Sequence, residues 1–172
     1  AGVGEAALPL LQPDDTLRAY VDRLSENEQF ADAVKVIAHA LPVREAVWWA
    51  WVCARRASGE EPPPKIKAAL EATERWVRNP TDDHRRQAME AAEAADIGTP
   101  AGCAGLAAFL SGGSLTPPNV DPVPPPPYAA SKAIASSIIL SAVVKEPEKA
   151  PERFREFIAQ GMNVARKLGL DG

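Results

Sequence analysis

The sequence predicts an all-α fold: a single compact multi-helix domain of seven or eight helices with one long proline-rich loop. Three observations predict it. Apolar residues recur at three- and four-residue spacing along most of the chain, the period of a helix with one buried face. Much of the 46% apolar content is alanine and only 6% of residues are aromatic, a composition that favours helix over sheet. The 17 prolines gather at apparent helix starts and in one stretch, so they punctuate helices instead of breaking them. At 172 residues one domain is expected.

Residues 1–12 lack a helical period and read as a flexible tail strapped onto the domain, residues 13–172, through Leu8, Leu10 and Leu11. Asp14 or Asp15 is expected to cap a first helix striped by Leu17, Tyr20, Val21 and Leu24. Ser25 and Glu28 have capping-box spacing and open a second helix carrying Phe30, Ala33, Val34, Ile37 and Leu41. Pro42 suits the first turn of a third helix, where a missing N–H costs nothing. That helix, to Ser58, holds three of the four tryptophans. Val43, Ala46, Val47, Ala50, Trp51 and Ala54 make one broad face, and Trp48, Trp49 and Val52 lie on the other sides. A helix apolar nearly all round belongs in the middle of a bundle.

After a turn from Ser58 to Pro64, Lys65 to Arg78 forms a fourth helix with Ile66, Ala69, Leu70, Thr73, Trp76 and Val77 facing inward. Asn79-Pro80-Thr81-Asp82-Asp83 combines a capping residue, a proline suited to N1 and acids near the positive end of the next helix dipole. This fifth helix, to about Ala95, has only alanines and Met89 to bury, a thin face that permits a close neighbour. Thr99-Pro100 opens a sixth helix carrying Cys103, Leu106, Ala107, Phe109 and Leu110, and Gly112-Gly113 stops it. Residues 112–127 are rich enough in proline to favour extended polyproline II. A loop that long inside a domain is usually functional or packed down. Tyr128 to Val144 reads as a buried core helix, shorter than the roughly 20 residues of a membrane span and carrying Lys132. The last helix, Pro151 to Leu168, is striped by Phe154, Phe157, Ile158, Gly161, Ala165 and Leu168. A mid-helix glycine is worse than alanine by about 1 kcal/mol, so another helix is expected to cross closely at Gly161.

The net charge of −4 argues against a nucleic-acid partner, which needs a basic surface, and gives no pull toward anionic membranes. Cys53 and Cys103 fall in apolar helical patterns, where a free thiol behaves as a small buried hydrophobe. No basic stretch followed by an apolar core marks a leader, and the chain opens Ala-Gly-Val-Gly without Met, as a trimmed start would. A cytoplasmic location fits these features. No cofactor or metal is expected. His39 and His84 lack partners at ligand spacing, and there is no Cys-x-x-Cys pair, Walker loop or nucleophile elbow. Ser111-Gly112-Gly113-Ser114 follows a helix and has no lysine after it, so it reads as a helix stop and not a phosphate cradle.

Two features remain as candidates. Arg44, Glu45, Trp48, Trp49, Arg55 and Arg56 crowd the third helix. They either brace the fold, by arginine–tryptophan stacking and a Glu45 ion pair, or form a recognition surface, since Trp and Arg dominate interface hot spots. The proline tract is either a ligand for an SH3-like domain or an internal strap across Trp48 or Trp49. Leu115, Val120 and Val123 favour the strap, because a free ligand needs no apolar anchors.

The run Leu41-Pro42-Val43-Arg44-Glu45-Ala46-Val47-Trp48-Trp49-Ala50, followed by Cys53-Ala54-Arg55, resembles a motif of an uncharacterised bacterial family. Trp76-Val77-Arg78-Asn79-Pro80 and Ser111-Gly112-Gly113-Ser114-Leu115-Thr116-Pro117-Pro118 resemble further elements of it. The resemblance covers about residues 40 to 145. It implies no catalytic residues, adds Ser114, Pro117 and Pro118 to the candidate interaction or fold-bracing set, and implies genes near type VI secretion clusters. The chain departs from the family pattern at Phe109-Leu110, where a tryptophan is commoner. The expected function is a non-catalytic adaptor or accessory protein acting by protein–protein interaction, with secretion machinery as its setting. The alternatives are a small-molecule enzyme or binder with a helical pocket near Glu45, Trp49 and Arg56, and a self-assembling structural subunit.

Overall fold

The computed structural model describes residues 1–172 and consists of α-helices without strands: α1 (Leu17–Glu26), α2 (Phe30–Ala40), α3 (Val43–Ser58), α4 (Pro64–Arg78), α5 (Asp82–Ala94), α6 (Pro100–Phe109), α7 (Ala129–Val143) and α8 (Ala150–Lys167). No helix is long and apolar enough to cross a membrane.

Threonines start three of the helices. Thr16 Oγ1 accepts from the Ala19 N–H at 3.1 Å, Thr81 from His84 at 3.2 Å and Thr99 from Gly102 at 3.0 Å. Each takes up one of the amides that a helix start leaves unpaired. The acids and Asn79 expected in this role do other work. Asp15 accepts from the Gln12 N–H at 2.7 Å and pairs with Arg23, which holds its carboxyl below the ordinary value. Asn79 closes α4. The expected capping box is also absent: Ser25 is still helical and donates to the Val21 carbonyl at 2.8 Å, while Glu28 turns the chain at φ +58°.

The innermost layer is α6 and α7, with α7 packed against α2, α3, α6 and α8, and α6 against α3, α4, α5 and α7. Small side chains bring the axes together. A Cβ on Gly105 would lie 2.8 Å from the Ala88 carbonyl oxygen and 3.0 Å from the Ala92 methyl, so the thin alanine face of α5 rests directly on α6. In α7, Ser137 Oγ donates to the Pro100 carbonyl and Ser141 Oγ to Ser137, at 2.8 and 2.7 Å. Those bonds let a serine-bearing helix sit in the core without unpaired hydroxyls. Tyr128 lies outside it, exposed and left-handed at φ +62°.

The third helix is a wall of this core and not its axis. Ala46, Val47, Trp49, Ala50, Cys53 and Ala54 are buried, whereas Arg44, Trp48 and Arg55 face solvent. Steps of 100° place 44, 48, 51 and 55 on one line of the helix, so two arginines and a tryptophan share the open side. Opposite it, α8 crosses α3 with Gly161 against the Trp49 ring and joins α2 through stacked Phe30 and Phe154 rings, centroids 5.7 Å apart. Leu168, expected on the α8 stripe, is exposed beyond the helix end.

Residues 1–12 lie along α1 and α2. The Gly4 N–H donates to Asp32 Oδ1 at 3.1 Å, Tyr20 Oη to the Ala7 carbonyl at 3.0 Å and Arg23 Nε to the Leu10 carbonyl at 2.9 Å. The attachment runs through backbone, the buried Ala7 and the half-buried Val3 and Leu10, which pack against the core; Leu8 and Leu11, also expected as anchors, are exposed.

Candidate functional site

The open face of α3 gathers Arg44, Trp48 and Arg55 from the sequence-predicted residues, but in separate roles. Arg44 reaches across to the end of α4, where Nε donates to the Val77 carbonyl at 2.7 Å and Nη2 to Arg78 at 3.2 Å. It thereby takes up carbonyls a helix C-terminus leaves free and sets a cation at the negative end of the dipole. Glu45 makes no ion pair, against the expected brace. Arg55 stacks on Trp51, 5.4 Å from the ring centroid, and the Trp51 indole N–H donates to the Leu70 carbonyl at 2.9 Å. Arg56 pairs with Glu156 of α8 at 2.6 Å.

The four tryptophans divide sharply. Trp49 is fully buried and donates to the Phe157 carbonyl at 2.9 Å, and Trp76 is buried. Trp51 is half-buried and tethered. Trp48 alone is exposed, at 43%. The expected pocket of Glu45, Trp49 and Arg56 therefore does not form, because the Trp49 ring points into the core under α8. Two other depressions lie beside α3 and share Val52 as a common wall, and Trp48 lines one of them. Between α3 and α8 a hollow of about 390 Å³ is lined by Glu45, Trp48, Val52, Val164, Lys167 and Leu168, among others. Between α3 and α4 a cleft of about 900 Å³ has Trp51, Val52 and Leu70 as its apolar lining. Arg55, Arg56 and Lys67 stand around that cleft with Glu60, Glu61, Glu71 and Glu74.

The proline loop belongs to a different part of the molecule, and it leaves Trp48 uncovered, contrary to the expected strap. Its start is held by Arg85, whose side chain is only 5% exposed. Arg85 binds Asp82 Oδ1 through Nε and Nη2 at 2.8 and 2.7 Å, the Phe109 carbonyl through Nη1 at 2.7 Å and the Ser114 carbonyl through Nη2 at 2.8 Å. Its guanidinium lies 4.6 Å over the Phe109 ring, a cation–π contact. Gly113, at φ +67°, backs onto this guanidinium; a Cβ there would meet Nη2 at 3.0 Å. Arg86 adds a bond to the Thr116 carbonyl at 3.0 Å and one to Asp82 Oδ2 at 2.8 Å. Hydrogen bonds from Arg86 and then Arg85 hold the Asp82 carboxyl below its ordinary value.

Ser114 organises the rest of the loop. Its hydroxyl accepts from the Thr116 and Val123 N–H groups at 3.1 and 3.0 Å, and the Leu115 N–H donates to the Val123 carbonyl at 2.8 Å. Pro117, Pro118, Val120 and Val123 are exposed, so the two valines are not anchors. The Gly-Gly-Ser run is a mount for an arginine pair. Arg85 was missed because its residue type suggested solvent. Its position gave the opposite signal, since 85, 88 and 92 form one helical stripe with two buried alanines.

No curated protein and no solved structure matches the chain. A family model, described as a family of unknown function (DUF6931), matches residues 20–165, spanning everything from α1 to the last turn of α8. The chain belongs to that family.

Proposed function

We propose that the protein is a non-catalytic adaptor or accessory protein that binds a protein partner through the open face of α3. One observation carries this reading: Trp48 is exposed at the edge of the hollow between α3 and α8 while the other tryptophans are buried or tethered. An exposed tryptophan beside Val52, Val164 and Leu168, rimmed by Glu45 and Lys167, has the make-up of an interface hot spot, an aromatic anchor with a charged surround. The resemblance to a family encoded near type VI secretion clusters supports bacterial secretion machinery as the setting in which to seek the partner.

A photo-crosslinking amino acid at position 48, expressed in the native host, is expected to trap one protein in a defined stoichiometry. Reconstituting that protein with the purified chain should give a complex that Trp48→Ala abolishes without lowering the unfolding temperature. A complex that survives Trp48→Ala unchanged removes the α3 face as the docking site.

A further inference from the structure

We infer that residues 122–128, Pro-Val-Pro-Pro-Pro-Pro-Tyr, are a preorganised polyproline ligand for a partner protein carrying an aromatic-lined polyproline groove. The tract is a separate surface from the α3 face. Asp121, Val123, Pro124, Pro125 and Pro126 each precede a proline. A residue in that position is driven out of the α region into extended or polyproline II backbone, and proline itself fixes φ near the same value. Residues 121–126 accordingly run without helix, strand or turn.

Three further features separate a ligand from an idle connector. The tract is accessible: between Pro122 and Tyr128 only Pro125 is half-buried, and Tyr128 is 69% exposed. Pro125 is thus the one point at which the tract rests on the domain, and Pro122, Val123, Pro124, Pro126 and Pro127 face outward. Its acceptors are also free. The Val123 and Pro126 carbonyls are taken by the Leu115 and Ala129 N–H groups. The carbonyls of Pro122, Pro124, Pro125 and Pro127 receive no hydrogen bond from the chain. Exposed pyrrolidine edges with open carbonyls are what aromatic grooves with indole or phenol donors read.

The two ends are clamped as well. Ser114 and Leu115 hold Val123, and α7 begins immediately after Tyr128. The ordering entropy that a free peptide loses on binding is therefore already lost on folding. The groove is on another protein because this chain exposes only two large aromatic side chains, Trp48 and Tyr128. Tyr128 is itself part of the ligand, and Trp51, on the same line of α3 as Trp48, is half-buried with its N–H already given to the Leu70 carbonyl.

The test uses an isotope-labelled WW domain and an isotope-labelled SH3 domain as probes, each titrated by NMR with the unlabelled full chain. The full chain is expected to shift the groove aromatic resonances of at least one probe, and to bind it about tenfold more tightly than a synthetic peptide of residues 119–130, the gain due to preorganisation. Pro124→Ala with Pro127→Ala should abolish the shifts at unchanged unfolding temperature. Trp48→Ala should retain them, which separates this surface from the proposed α3 interface. Absence of shifts with both probes, or shifts that persist in the double proline variant, overturns the inference. So does self-association in the ultracentrifuge that the same double variant removes, because the groove would then lie on a second copy.

Discussion

Gly161 lies against the indole of Trp49 so closely that a Cβ at 161 would fall 2.7 Å from Cζ2 and 2.8 Å from Cε2, with Ile37 Cγ2 at 3.0 Å. The glycine that weakens α8 in isolation is the one that lets the largest buried side chain of α3 fit beneath it. Gly161→Ala sets two effects against each other. Helix propensity favours alanine by about 1 kcal/mol, whereas overpacking a filled core costs about 1–3 kcal/mol. Trp49 is fully buried and its N–H is fixed on the Phe157 carbonyl, so it has little room to move and the clash should win. The variant is expected to be less stable by roughly 1–2 kcal/mol in urea denaturation; a stabilised variant would show that the ring yields.

Adjacent tryptophans should behave as opposites. Trp49→Ala empties a core site and forfeits a buried hydrogen bond, for a loss of about 3–5 kcal/mol. Trp48→Ala removes a side chain that is 43% exposed and makes no hydrogen bond, and its cost should stay below about 1 kcal/mol. Equilibrium unfolding of the two variants side by side checks this, and equal losses would mean that Trp48 is part of the core.

Arg85 links α5, the end of α6 and the start of the proline loop. Arg85→Met keeps the length of the side chain but leaves the Phe109 carbonyl without its donor, the Ser114 carbonyl with only the longer bond from Arg86, and Asp82 without one of its two cations. Truncating one partner of such a network costs about 2–4 kcal/mol. Limited proteolysis should then cut within residues 112–127 well before any helix. Cleavage rates matching wild type would refute the clamp.

The same network has a pH signature. The folded-state value of Asp82 is depressed by its hydrogen bonds to Arg86 and Arg85. Its stabilising contribution is therefore complete above the ordinary carboxylate value, about 3.9, and is lost as pH falls through the lower folded value. Unfolding temperatures of wild type and Asp82→Asn should differ at pH 6 and converge toward pH 2–3. Asp15 and Glu146 are depressed too, so wild type alone would not isolate Asp82. Parallel curves would mean that the carboxylate contributes nothing.

Much of the helical plan was legible in the residues because it depends on local spacing. The stripe Leu17, Tyr20, Val21, Leu24 and the Thr99-Pro100 start behaved as their spacing demanded. The small face of α5 and the mid-helix glycine of α8 each announced a close neighbour, and Ala88 beside Gly105 and Trp49 beside Gly161 are those neighbours. Helix starts were less legible, because several capping residues in a row compete and only the one immediately before the first helical turn can cap. At 79–83 that one is Thr81.

The candidate site was legible as composition and not as arrangement. Spacing alone places Arg44, Trp48 and Arg55 on one line of α3, yet it says nothing about which line meets solvent. That depended on where α4, α6, α7 and α8 came to rest, and their packing turned Trp49 inward, left Trp48 outside and drew Arg44 to the end of α4. The proline loop differs in the same way. Its extended backbone follows from sterics between neighbouring residues, which any sequence reader can apply. Its clamping by Arg85 and its outward display required contacts between residues far apart in the chain. Local sterics and periodicity thus determined the helices and the extended tract, while long-range burial decided which tryptophan, which arginine and which edge of the prolines remain available to a partner.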